Sequence, residues 1–161
     1  MKKTFKVNIY IETDSMDVKR KYRAYAAIVE YIKQDGKHEK RQINEIVYAT
    51  RNQVMLIALS EALGILTKKC DITVYMDSKY VQGNIRKEKL DKWQQNGWKT
   101  VRNEGIANVE EWRELIKNIK GHNIAFSNTK SYEDKEKLKK QVKEMMKQRE
   151  QWEQQRLDGG I

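Results

Sequence analysis

A single α/β domain built on a mixed sheet is what this chain predicts, and three observations carry that expectation. The first third alternates apolar and polar residues at the period of β-strands, around an Asp35-Gly36 turn signal. The next stretch changes to helical spacing, and a short β-branched run follows it. Three antiparallel strands, a crossover helix and further parallel strands then make a five-stranded sheet flanked by helices.

Phe5 to Glu12 is the first strand, with Phe5, Val7, Ile9 and Ile11 on one face and two acids, Glu12 and Asp14, at its end. Residues 13 to 23 are polar and basic and read as a loop. Ala24 to Ile32 is the second strand, and the Asp35-Gly36 turn leads into a more polar third from about His38 to Ile46. From Asn52 the residues Val54, Met55, Leu59, Ala62, Leu63 and Leu66 recur at helical spacing. Thr50 is the candidate cap, and Lys68 and Lys69 suit the negative end of this helix. Cys70 closes that run.

Ile72 to Met76 is a buried strand ending at Asp77, and Ser78 caps a short helix reaching about Gly83. Asn108 to Lys120 is an amphipathic helix with Trp112, Leu115 and Ile119 inward, stopped by Gly121. His122 to Phe126 is a fifth short strand. From Ser131 to Arg156 the chain is helix-forming, with a loose stripe of Leu138, Val142, Met145 and Trp152 that Arg149 interrupts. A lone helix that docks its first turns and then runs out solvated fits this better than a coiled coil. The expected organisation is therefore one domain over residues 1 to 140 and a helical extension over 141 to 161.

Composition narrows the function. The 161 residues carry a formal charge of +10 with 35% charged residues, which favours a polyanionic partner, nucleic acid above all; a basic surface serving only solubility is the plain alternative. A single cysteine, Cys70, excludes an internal disulfide and fits a reducing cytoplasm; it reads as a small buried residue without an activating neighbour. No apolar run approaches the roughly 20 residues of a membrane span, and Met1-Lys2-Lys3-Thr4 leads into no signal-peptide core. The expectation is a cytoplasmic protein with no membrane contact.

The chemistry concentrates between residues 72 and 102. Asp77 stands at a strand end beside a basic segment holding Arg86, Lys87, Lys89, Lys92, Lys99 and Arg102, with Trp93 and Trp98 among them. An acid beside a cationic, aromatic segment is the pattern of a metal-assisted site facing a phosphate polymer. Lysines there add salt-sensitive phosphate contacts, and an exposed tryptophan stacks on a base or sugar. Trp98 reads as packing instead. Thr50 and Asn52, at a helix start, are placed to cradle a phosphate. His38 and His122 read as structural.

The order of elements resembles the ribonuclease H fold, and the motifs narrow this to the bacterial type 1 family. Met76-Asp77-Ser78-Lys79-Tyr80-Val81 is similar to that family's T-D-S-x-Y-V. K-W-Q-Q-N-G-W-K-T at 92–100, followed by N-V-E-E-W-R-E-L at 108–115, is similar to its basic protrusion and following helix. A-T-R-N-Q-V-M-L-I-A-L at 49–59 is similar to its T-x-N-x-x-E-L helix. The resemblance covers roughly residues 5 to 140. It implies a ribonuclease H-like fold and a protrusion, with Lys87, Lys92, Trp93 and Lys99, that grips the DNA strand of an RNA–DNA hybrid. It also implies four carboxylates holding two divalent metals, Mg²⁺ or Mn²⁺, that cut the RNA strand.

Carried over residue by residue, Asp77 falls on the motif acid and Glu12 on the first acid, both as metal ligands. The family has Asp-Gly-Ser where this chain has Glu12-Thr13-Asp14, so the ligand is a methylene longer and Asp14 is a substitute; solvated loop acids are the alternative. Met55 stands where the family has its helix glutamate, and a thioether has no affinity for Mg²⁺. Glu45 and Glu61 lie too far along the chain to replace it. The fourth acid is sought among Glu133, Asp134 and Glu136, with Asp134 chosen, and the family's histidine loop before it is not recognisable. Arg23-Ala24-Tyr25-Ala26-Ala27 replaces a glycine-rich G-G-Y-G, which implies a differently shaped approach to the first strand.

Three functions follow from this reading. The chain is a ribonuclease H-like nucleic-acid-binding protein with altered or reduced metal-dependent cleavage of RNA–DNA hybrids, its catalytic acids Glu12, Asp77 and Asp134. Or it is an inactive binding module without cofactor that kept the fold and the cationic face. Or its C-terminal helix, about Glu133 to Arg156, engages a protein partner.

Overall fold

The computed structural model describes residues 5–15, 17–100, 102 and 104–159. The readings made on Met1 to Thr4 and on the last two residues of the extension lie outside these. The elements run β1 (Phe5–Thr13), β2 (Lys21–Ile32), β3 (His38–Ala49), α1 (Arg51–Gly64), β4 (Cys70–Tyr75), α2 (Lys79–Asn84), α3 (Lys87–Gln95), α4 (Val109–Ile119), β5 (Asn123–Phe126) and α5 (Lys135–Asp158). The sheet order is β3-β2-β1-β4-β5. β1 pairs antiparallel with β2 and parallel with β4, and β5 extends the parallel side. The expected mixed five-stranded sheet is the one found.

Alternation along the strands decides which face each helix covers. Val7, Ile9 and Ile11 of β1 and Tyr25, Ala27 and Val29 of β2 point to one side, into the main core with α1, Trp112 and Leu115. Ala24, Ala26 and Ile28 of β2 point to the other side, where Leu138 and Val142 of α5 bury against them. The alanines of Arg23-Ala24-Tyr25-Ala26-Ala27 thus lie within β2 and not in a loop, and the small side chains of Ala24 and Ala26 let α5 sit close to the sheet.

The sequence places β2 three residues too late. Residues 21–23 are polar, yet they join the ladder because Arg23 is fully buried and satisfied. Its guanidinium donates to the carbonyl of Ala49 at 3.0 Å, to that of Asp17 at 2.5 Å, to that of Lys19, and to Ser15 Oγ at 3.3 Å. That satisfaction extends β2 and β3 together to the Lys21–Ala49 pair. Cys70 opens β4 and does not close the helix before it. It is buried, its backbone N–H donates to His122 Nδ1 at 3.1 Å, and burial pushes its thiol up.

α1 begins with a capping box: Thr50 Oγ1 accepts from the Gln53 backbone N–H at 3.2 Å, and Gln53 Oε1 accepts from the Thr50 N–H at 2.9 Å. α5 is anchored twice. Its first turns dock through Leu138 and Val142, and further on Arg149 lies over the Tyr22 ring at 3.5 Å while bonding Glu153 at 3.1 Å. The residue that breaks the apolar stripe is itself an anchor. Trp152 and Leu157 beyond it are exposed.

Under α5, Glu30 is a buried carboxylate that accepts from Asn8 Nδ2 at 3.0 Å and Tyr10 Oη at 2.9 Å and meets His38 Nδ1 at 3.1 Å. Burial pushes Glu30 up, but these hydrogen bonds outweigh it and hold its carboxyl below the usual range. A depressed folded-state pKa contributes stability above the unfolded value that is lost as pH falls through the folded one. Urea unfolding midpoints are therefore expected to decline below about pH 4.5, the ordinary glutamate value, and Glu30→Gln should flatten that acid-side decline. Leu138→Ala should cost about 2–5 kcal/mol, the range for emptying a well-packed leucine site; unfolding curves of the two variants check both expectations.

Candidate nucleic-acid interface

Two strands lying side by side in parallel bring their carboxyl ends to one edge of the sheet. Glu12, next to last in β1, and Asp77, two residues past β4, reach the same cleft of about 400 Å³. Arg51, the first residue of α1, ties the two sides together by donating from Nη2 to the Asp77 carbonyl at 2.7 Å. Asp14, Met55, Lys79, Lys130, Tyr132, Lys135 and Lys139 complete the polar and apolar lining that matters here.

The remaining expected acid lies elsewhere. Asp134 is outside the cleft lining and accepts from Lys40 Nζ at 2.7 Å, a bond that raises the affinity of that ammonium for its proton. Glu133 reaches the same lysine at 3.6 Å. The structure therefore joins Glu12 and Asp77 and holds Asp134 apart, at the cap of α5. Met55 is 2% exposed, with its side chain in the core that backs the cleft.

Beyond Glu12, Asp14 and Asp77, the charged lining of the cleft is basic, with the Tyr132 phenol beside it. Tyr132 Oη donates to Glu12 Oε2 at 2.5 Å, while its ring packs on Tyr10. Burial pushes the Tyr132 phenol far above the ordinary tyrosine range, and the Glu12 carboxylate adds to this, so the phenol stays protonated as a fixed donor. Lys135 and Lys139, one helical turn apart, face the cleft, and the Lys135 ammonium donates to the Lys130 carbonyl. The lining thus holds five cations, Arg51, Lys79, Lys130, Lys135 and Lys139, against three acids, Glu12, Asp14 and Asp77. Among the described residues no group of three or more acids, histidines or cysteines converges to hold a metal ion. A hard divalent cation needs several oxygen ligands, and a two-metal site needs carboxylates between its ions. The residues present do not fit that centre.

Sequence reasoning missed Tyr132 and the lysines. Lys135 and Lys139 were legible as an i, i+4 pair opening a helix, but which face they occupy depends on Leu138 and Val142 docking under β2. Lys79 sits inside the Asp77-Ser78-Lys79-Tyr80-Val81 motif itself. Tyr80 of that motif has a structural task. Its hydroxyl accepts from Trp112 Nε1 at 2.8 Å and Asn108 Nδ2 at 3.1 Å, fixing α4 against α2.

The protrusion is α3 with the turn after it. Lys87, Lys92 and Lys99 are exposed, and Thr50 and Asn52 are half-buried at the mouth of α1. Trp93 is half-buried: its ring meets Trp112 edge-on at 5.4 Å and Trp98 at 6.1 Å, with Lys89 5.5 Å from its centroid. Trp98 is 8% exposed and sits at φ 62° after Gly97, also at φ 62°, so the turn folds its ring inward under Arg113. Trp98 packs the protrusion, and the lysines face outward.

A sheet of this order with two strand-end acids at its cleft is the architecture of ribonuclease H-like folds. The family model for RNase H matches residues 5–136, and this chain belongs to that family. It is 39% identical over 83 residues to the ribonuclease H of Caldicellulosiruptor saccharolyticus, covering 52% of this chain and 57% of that protein. It is 36% identical over 114 residues to the ribonuclease H of Clostridium botulinum strain Hall, covering 70% and 73%. The fold is shared with the crystal structure of LC9-RNase H1, a type 1 RNase H with the type 2 active-site motif, at TM-score 0.68 and 19% identity over 90% of this chain and 72% of that one. Among the described residues no helix is long and apolar enough to cross a membrane.

Met55→Glu tests the fit of the cleft. Placing a carboxylate at a 2% exposed position without partners should lower stability by several kcal/mol. No Mg²⁺ binding should appear in calorimetric titration of the folded variant; a tight metal isotherm would contradict the misfit.

Proposed function

We propose that this chain is a ribonuclease H-like protein that binds an RNA–DNA hybrid or duplex without metal-dependent hydrolysis, working in the cytoplasm. One observation carries the reading: the cleft lining holds five cations against three acids, with Met55 backing it. Cleavage of a phosphodiester by two metals needs carboxylates to hold the ions and to position the attacking water. Binding needs only cations spaced along the polymer, and a formal charge of +10 supplies the long-range attraction.

In this reading the domain of residues 1–140 does the gripping. Lys87, Lys92 and Lys99 of the protrusion contact phosphates of one strand, and the exposed edge of Trp93 lies against a sugar or base. Thr50 and Asn52 face a phosphate at the start of α1, where unpaired N–H groups and the helix dipole favour an anion. Glu12 and Asp77 remain as acids that space the cleft cations and hold no metal. The helical extension over residues 141–161 begins inside α5, where Val142 and Arg149 still hold the helix against β2.

Fluorescence anisotropy with a labelled hybrid in EDTA should give binding whose logarithm falls linearly with the logarithm of salt. Lys87→Gln with Lys92→Gln should reduce that slope by about 1.4–1.8, from about 0.7–0.9 per phosphate contact. The same hybrid should stay intact in Mg²⁺ and in Mn²⁺ on a denaturing gel. Metal-dependent cleavage that Asp77→Asn abolishes would overturn the reading.

A further inference from the structure

The cations of the cleft come from four separate elements: Arg51 from α1, Lys79 from α2, Lys130 from the β5–α5 connection, and Lys135 and Lys139 from α5. Gathering them in one concavity sets like charges against one another, and the three acids present offset only part of that repulsion. An anion seated between the ammonium groups would offset the rest. Lys135 and Lys139 are also the first two of a series at i, i+4 spacing, Lys135-Lys139-Lys143-Lys147. Residues four apart advance about 6 Å along one side of a helix, so the series extends over about 18 Å, roughly five base-pair steps of a duplex strand. Lys143 and Lys147 are exposed. Among the described residues the ion pairs of α5 and its cap involve Glu133, Asp134, Arg149 and Glu153, and neither of these two lysines takes part. Leu138 and Val142 set the docked side of α5; at about 100° per residue the series turns about 40° per step, so Lys135 and Lys139 border that side and Lys143 and Lys147 lie progressively further from it.

We propose that the cleft and this flank of α5 form a metal-independent phosphodiester track. Lys79, Lys130, Lys135 and Lys139 seat one phosphate of the nucleic acid where a metal-dependent relative would need carboxylates, and Lys143 and Lys147 contact the phosphates that follow. The track is distinct from the protrusion, which approaches from α3, and it gives the C-terminal helix a nucleic-acid role. It rests on the binding reading above and names which residues take the second contact surface.

The test is a salt titration of hybrid binding by the full chain in EDTA, with charge-matched variants. Lys135→Gln with Lys139→Gln should weaken binding at least tenfold at moderate salt and reduce the log–log slope by about 1.4–1.8. Lys143→Gln with Lys147→Gln should reduce the slope by a similar amount on a hybrid long enough to reach α5, and by much less on one that ends at the cleft. Lys117→Gln with Lys120→Gln, an equal charge loss on exposed positions of α4 and its end, should change affinity less than twofold. Lys135→Arg with Lys139→Arg should retain binding. Circular dichroism confirms that each variant is folded. If the wild-type chain binds and the Lys135/Lys139 variant falls no further than the α4 control, the track is refuted while the binding reading stands. If the wild-type chain does not bind the hybrid at all, both fall together.

Discussion

The parallel pairing of β1 with β4 is the constraint on which the rest depends. Six consecutive pairs, from Phe5–Cys70 to Tyr10–Tyr75, fix the two strands side by side and pointing the same way. A parallel pair needs a crossover, and α1 supplies it, capped at Thr50 and buried along Val54, Leu56 and Leu59. Because side chains alternate, this register also decides that Ile9 and Ile11 enter the core under α1 while Tyr10 and Glu12 turn toward α5. A slip of one residue would send Glu12 to the wrong face, away from Tyr132.

α5 then decides what kind of cleft it is. Its docking on Ala24, Ala26 and Ile28 brings Tyr132, Lys135 and Lys139 to the end of the sheet where Glu12 and Asp77 stand. The alanines that allow this approach replace the glycines expected of the family at β2. Asp134, the acid chosen from the sequence, is drawn off by Lys40 of β3, which two strands separate from β4. The segment that could have delivered a carboxylate delivers a phenol, Tyr132, just before α5 and two lysines, Lys135 and Lys139, in its first turns. Family membership therefore fixes the fold here, while the side chains on that fold set a different electrostatic character.

Strand alternation, the Asp35-Gly36 turn and the helical period from Asn52 made the mixed five-stranded sheet readable in the sequence, and the motif acid Asp77 lies at the cleft just past the end of β4. What escaped was tertiary in origin. Arg23 looked like a loop residue because its four acceptors lie on segments distant in sequence or irregular in form. Tyr132 looked unremarkable because its partner, Glu12, is 120 residues away. The face of α5 that meets the cleft was ambiguous because its apolar stripe is loose, and Arg149 holds the helix through a ring on β2 and not through apolar contact.

On the proposed reading this cleft is complementary to phosphate and not to divalent metal. Anomalous diffraction from crystals of the protein with an RNA–DNA hybrid and Mn²⁺ tests it most directly. A phosphate-seating cleft gives no Mn²⁺ peak between the Glu12 and Asp77 carboxylates, and a phosphate oxygen within hydrogen-bond distance of Lys135 or Lys139. A pair of Mn²⁺ peaks about 4 Å apart bridged by those two carboxylates, the spacing of a two-metal nuclease, would contradict it.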